Sequence, residues 1–204
     1  QKIAIRKFSG DYDRKIYKTY LLYGVTGSGK TEVYMEMIAK VLNDGRQAIV
    51  LIPEIALTYQ TVMRFYTRFG ERVSILNSRM SQGERYDQME RVKKGEVDIM
   101  IGPRSALFTP FEKLGLIVID EEHEPTYKSE QVPRFHARET AIERARMEGA
   151  SVVLGSATPS LEAFYACECG RYQMLRLKMR TRKQELPQVY VADMREELKH
   201  GNRS

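Results

Sequence analysis

A chain of 204 residues with 42% hydrophobic and 29% charged residues is long enough to bury a core, and its ordinary composition excludes a disordered or fibrous protein. Its 33 Lys and Arg against 27 Asp and Glu leave a formal charge of +6, which favours a polyanionic partner but also fits an evenly solvated surface. No apolar run approaches the ~20 residues of a membrane span. Cys167 and Cys169 sit too close for a disulfide framework and lack a second Cys or His pair for zinc, so they read as free thiols in a reducing cytoplasm. The opening Gln1-Lys2-Ile3-Ala4 has neither a signal-peptide core nor an initiator Met, so a piece of a longer cytoplasmic protein is expected.

In chain order, Asp11-Tyr12-Asp13-Arg14-Lys15 reads as a charged surface connection before the first strand. From Tyr20 onward, short β-rich apolar runs alternate with segments of helical period. That alternation defines an α/β fold, a mostly parallel central sheet with helices on both faces. The candidate strands are 20–23, 48–52, 73–76, 97–101, 116–119 and 151–154, each buried on both faces. Val33, Met37, Val41 and Leu42 make a helical apolar stripe that ends before Gly45, a residue suited to a left-handed cap. Ser81 and Glu84 have capping-box spacing ahead of a charged helix stopped by Gly95. The chain turns basic over residues 176–183, a last strand is expected at 188–191 after Pro187, and residues 196–204 read as a frayed end.

Gly24-Val25-Thr26-Gly27-Ser28-Gly29-Lys30-Thr31 fits G-x-x-x-x-G-K-[ST] in full, between an apolar strand and an amphipathic helix. Phosphate oxygens need several converging donors, and glycines let backbone amides turn inward at the positive end of a helix. Lys30 is expected to reach the β and γ phosphates of ATP, and the Thr31 hydroxyl to hold Mg²⁺. Residues 116–119 run directly into Asp120-Glu121-Glu122-His123, placing acids where a buried parallel strand ends, the usual ligand side of such sheets. Asp120 is the candidate second holder of Mg²⁺, and Glu121 the candidate base for the attacking water. His123 reads as a coupling residue or as a satisfied structural histidine.

With Ser156-Ala157-Thr158, these segments resemble motifs I, II and III of superfamily 2 helicases in order and spacing. Within that superfamily, Gly24 through Tyr34, Pro53-Glu54-Ile55-Ala56-Leu57-Thr58, Gly102-Pro103-Arg104-Ser105-Ala106-Leu107-Phe108 and Gly155-Ser156-Ala157-Thr158-Pro159-Ser160 closely resemble the PriA family of bacterial replication-restart helicases. The resemblance covers nearly the whole chain and implies a RecA-like P-loop NTPase lobe. Residues 1–180 would form the first lobe, and 181–204 a tail or linker toward a second. It further implies 3′ to 5′ translocation on single-stranded and forked DNA, reloading of the replication machinery, and a cytoplasmic, nucleoid-associated place. Primosome and single-strand-binding proteins would be partners of the whole protein, whose zinc module is not in this segment. Ser156 and Thr158 would relay nucleotide state, although a Ser-Ala-Thr turn also suits the start of a helix.

The stretch Tyr127-Lys128-Ser129-Glu130-Gln131-Val132-Pro133-Arg134-Phe135-His136 mixes cations with rings, which suits single strands by phosphate neutralisation and base stacking. It resembles the family's aromatic-rich loop, with Tyr127, Lys128, Arg134 and Phe135 as candidate DNA contacts. An ordinary surface loop with one or two buried rings fits the same residues. Arg104 and Ser105, and earlier Pro53 and Thr58, match contact motifs of the family but also suit plain strand-to-helix turns. A second lobe with its arginine finger is expected outside this chain, so the chain alone should be a monomer that hydrolyses ATP weakly or not at all. Other readings share part of the pattern: a recombination or repair translocase, a small-molecule kinase, and a non-enzymatic lobe that docks DNA or a partner.

Overall fold

The computed structural model describes residues 1–177, so the strand expected at 188–191 and the frayed end at 196–204 lie outside the described residues. Among the described residues, seven parallel strands form one sheet: β1 (Thr19–Gly24), β2 (Gln47–Leu51), β3 (Val73–Ile75), β4 (Ile99–Gly102), β5 (Leu114–Ile119), β6 (Ser151–Ser156) and β7 (Gln173–Leu177). Their order is β3-β4-β2-β5-β6-β1-β7. The helices are α1 (Lys2–Asp13), α2 (Lys30–Asn43), α3 (Tyr59–Phe69), α4 (Gln82–Lys93), α5 (Ala137–Glu148) and α6 (Leu161–Glu168).

Strand side chains alternate between two apolar layers, as the pleat requires. Tyr20 and Leu22 join one layer with Phe8 of α1, Val33, Met37 and Val41 of α2 and Phe65 of α3. Leu21 joins the other with Val92 of α4, Ala137, Ala141 and Ala145 of α5 and Ala163 of α6. Every residue of β4, β5 and β6 is buried, which explains why these strands read as continuous apolar runs. Helix α4 begins with the expected capping box between Ser81 and Glu84, and Gly45 and Gly95 both take left-handed φ, at 70° and 73°.

One expectation needs correction, and one strand was not foreseen. Residues 11–13 are not a surface connection but the last turn of α1, whose Ala4, Phe8, Asp11 and Tyr12 recur on one face and are buried. Phe8 stacks on Tyr12 and meets Tyr20 edge-on, both at 5.6 Å between ring centres. Asp11 is tolerated inside because Tyr20 Oη donates to it at 3.1 Å and Arg14 Nη2 at 2.9 Å. The basic stretch from 176 begins inside β7, whose Leu175 and Leu177 face the core while Arg176 faces outward. Residues 173–177 were absent from the candidate strands because the exposed Arg176 interrupts their apolar run.

Candidate nucleotide site and nucleic-acid face

The phosphate loop leaves β1 at Gly24 and enters α2 at Lys30. Gly27 and Gly29 hold φ of 77° and 82°, left-handed values at which a side chain would be strained. At Gly24 the limit is space, because a Cβ would lie 2.6 Å from Ser28 Oγ and 2.8 Å from Leu177 Cβ. Val25, Thr26 and Gly27 face solvent, and Thr31 is half-buried in the first turn of α2. Ser28 is buried, and its Oγ has no hydrogen-bond partner among the described residues. Lys30 folds back under the arch, with Nζ donating to Gly24 O at 3.0 Å. Gln1 Nε2 donates to Ser28 O at 2.9 Å from the far side.

The acidic cluster arrives at the same place. Continued strand geometry would send Asp120 and Glu121 to opposite faces, but Glu121 takes φ 48° and breaks the pleat. Its Oε1 lies 3.8 Å from Lys30 Nζ. Asp120 Oδ1 accepts from Tyr34 Oη at 2.9 Å and from the Glu121 amide at 3.1 Å. Burial pushes the Asp120 carboxyl above the usual carboxylate range, and the neighbouring Glu121 charge adds to that rise, against the opposing pull of Tyr34 and Lys30.

Strand β6 lies between β5 and β1, and its end meets the acids. His123 Nδ1 is 2.8 Å from Ser156 Oγ and 3.8 Å from Glu121 Oε2, while Nε2 is 3.4 Å from Thr158 Oγ1. Thr158 N donates to Ser156 Oγ at 3.0 Å, so the three candidate coupling residues form one cluster beside Glu121.

The candidate nucleic-acid contacts divide. Lys128 and Arg134 are exposed, as are Ser105 and Thr58. Phe135 is half-buried and packs edge-on against Phe108 at 5.2 Å. Thr58 caps α3, accepting from Thr61 N at 3.3 Å, and Pro53 is buried, its carbonyl accepting from Ala56 N and Leu57 N. Tyr127 departs most from expectation: it is 1% exposed, so its ring has no open face for a base. Its Oη has one proton to share between Asp120 O at 2.7 Å and Leu51 O at 3.1 Å, carbonyls just past β5 and at the end of β2, and the shorter contact is to Asp120. Arg104 also fastens the loop, with Nη1 donating to Thr126 O at 2.8 Å and Lys128 O at 2.9 Å, an engagement that uses one of its three guanidinium nitrogens.

Two residues without an assigned role in the sequence reading, Glu122 and Tyr34, support the site. Glu122 is 1% exposed, accepts from Arg138 Nη1 at 3.1 Å and Ser160 Oγ at 3.0 Å through Oε2, and takes the Ser160 amide at 2.7 Å through Oε1. It ties the acidic turn to α5 and to the first turn of α6. Tyr34 stands one helical turn after Lys30, and its signals in the sequence were that i to i+4 spacing and its place at the end of the family-like run from Gly24.

The fold and this convergence of phosphate loop, acids and Ser-Ala-Thr strand define a RecA-like helicase lobe. A model of the DEAD/DEAH box helicase family matches residues 1–165, and the chain belongs to that family. It is 50% identical over 204 residues to replication restart protein PriA of Bacillus subtilis and 47% identical over 195 residues to that of Synechocystis. It covers 25% and 23% of those proteins, so the chain spans about a quarter of the length of the curated relatives it matches. Among solved structures, RecG bound to a three-way DNA junction matches with TM-score 0.61 and 22% identity, over 92% of this chain and 24% of that one. The Pyrococcus furiosus Hef helicase domain matches with TM-score 0.59 and 19% identity, over 84% of this chain and 37% of that one, and both support the fold.

Proposed function

We propose that this chain is the ATP- and DNA-binding first lobe of a 3′ to 5′ replication-restart DNA helicase, spanning residues 1–180, with 181–204 leading toward a second lobe. One observation carries the reading: Lys30 Nζ and Glu121 Oε1 stand 3.8 Å apart although 91 positions separate them, so one triphosphate can touch both. The names of the PriA relatives supply the replication-restart part. Primosome proteins, single-strand-binding proteins, forked DNA, a zinc module elsewhere and a cytoplasmic, nucleoid-associated setting belong to that proposal for the whole protein.

The amides of residues 24–31 bind phosphate, and Lys30 neutralises the β and γ groups once it exchanges Gly24 O for them. Magnesium suits the donor set: Asp120 Oδ2 has no partner among the described residues, and Thr31, a hydroxyl-bearing residue, follows Lys30 in the first turn of α2. Asp120 and Thr31 would hold the ion, which would supply positive charge to offset that of the phosphates. Glu121, partly exposed and near Lys30, orients and deprotonates water. His123, Ser156 and Thr158 pass the state of that corner toward the DNA-facing side, and Lys128, Arg134 and Phe135 offer charge and a ring to a single strand.

The test is ATP turnover by the chain alone and by the full-length protein, each with and without single-stranded DNA. Weak turnover by the chain and DNA-stimulated turnover by the full-length protein, abolished by Lys30→Ala, are expected. Unaltered turnover in Lys30→Ala defeats the assignment.

A further inference from the structure

Helix α2 carries one buried polar side chain that takes no part in cradling phosphate. Tyr34 is 1% exposed, and four residues after Lys30 it shares the helix face that looks toward β5. Its hydroxyl donates to Asp120 Oδ1 at 2.9 Å, and the Glu121 amide donates to the same oxygen at 3.1 Å. Both acceptor sites of Oδ1 are therefore occupied by the protein, while Oδ2 has no partner among the described residues.

Space for the hydroxyl comes from a third element. A Cβ added at Gly155 would sit 1.5 Å from Tyr34 Oη and 3.3 Å from Asp120 Oδ1. A phenylalanine would fill the core equally well without the cost of burying a phenol. The arrangement thus serves the hydrogen bond to Asp120, not packing.

We propose that Tyr34 is a positioning residue that restricts Asp120 to offering one oxygen, Oδ2, to the divalent cation of a bound nucleotide, and thereby selects magnesium over calcium. The inference rests on the reading of Asp120 given under the proposed function. Magnesium keeps a tight octahedral shell and takes one oxygen from each carboxylate, whereas the larger calcium readily takes both. With Oδ1 held by a phenol and an amide, two-oxygen coordination is closed. Removing the hydroxyl leaves Oδ1 a free lone pair and opens it.

The experiment compares the 204-residue chain with its Tyr34→Phe variant. Magnesium and calcium compete in each for the complex with a fluorescent ATP analogue, and thermal unfolding is followed without divalent cation. The calcium-to-magnesium preference is expected to rise about fivefold in Tyr34→Phe, the worth of roughly one hydrogen bond. An unchanged preference, whatever happens to the melting temperature, overturns the proposal, because a merely structural role would move the melting alone. If the unaltered chain shows no cation-dependent nucleotide binding, the reading of Asp120 fails, and the proposal falls with it. Should Tyr34→Phe not fold, infrared spectra of the unaltered chain with ¹³C-carboxyl aspartate, taken as differences against Asp120→Asn, decide the matter. A wide splitting of the carboxylate stretches with calcium supports one-oxygen binding, and a narrow splitting refutes it.

Discussion

Replacing Arg138 by Met probes the buried ion pair that anchors the acidic turn. The Glu122 side chain is 0% exposed and that of Arg138 8%, with Nη1 and Oε2 3.1 Å apart, so neither charge has water to fall back on. The variant keeps most of the buried volume but leaves the Glu122 carboxylate with Ser160 alone, through its amide at 2.7 Å and hydroxyl at 3.0 Å. Breaking a buried pair from one side costs about 3–5 kcal/mol, because the remaining charge is desolvated and unpaired. At ~2–4 °C per kcal/mol for a domain of this size, the melting temperature should fall by roughly 6–20 °C. Chemical denaturation of Arg138→Met, Glu122→Gln and the double variant measures the coupling directly, since Gln still accepts from Ser160. The double variant should lose less than the sum of the singles, by at least ~1.5 kcal/mol. A single-variant loss below ~1 kcal/mol, or additivity within ~0.5 kcal/mol, would refute this account of Glu122.

Three further outcomes are expected. Lys128→Ala and Arg134→Ala should each weaken single-stranded DNA binding and flatten its salt dependence by about 0.7 in log–log slope, whereas Tyr127→Phe, altering a buried ring, should lower stability and leave that slope unchanged. Burial alone would raise the Asp11 carboxyl, but the Tyr20 hydrogen bond and the Lys7 and Lys18 cations outweigh it and hold it below the ordinary value. The resulting stability is complete above the unfolded value near ~3.9 and disappears as pH falls through the lower folded value, so Asp11→Asn should flatten the acid limb of a melting-temperature profile. Gly155→Ala should cost about 1–3 kcal/mol by driving Tyr34 off Asp120, and an unchanged melting temperature would show that the space is not needed.

The nucleotide corner was legible in the sequence because its chemistry is local. Eight consecutive residues set the phosphate loop, and four set the acidic turn. Their meeting followed from both clusters lying at the carboxyl ends of parallel strands. What remained hidden depended on partners distant in the chain. Asp11 looked like surface charge because the sequence does not show Tyr20 Oη waiting 3.1 Å away. Tyr127 looked like a base-stacking ring because composition cannot separate a ring facing solvent from one facing the Leu51 carbonyl. Arg104 was recognised as special, but its duty to two loop carbonyls follows only from how the turn at 103–108 lies against residues 126–128. The strand β7 escaped because edge strands expose alternate residues and lose the solid apolar run of the sheet centre.

That strand, the last beyond β1 among the described residues, changes where the folding unit should be drawn. The family match stops at residue 165, yet residues 173–177 hydrogen-bond along the full inner length of β1, and Leu177 closes on Gly24 at the mouth of the phosphate loop. A polypeptide trimmed at the homology boundary would strip this flank and leave the loop-bearing strand as a raw margin, ready to zip onto a neighbouring molecule. Expression work that follows the family limits would then meet precipitation, and the fault would lie in the choice of terminus.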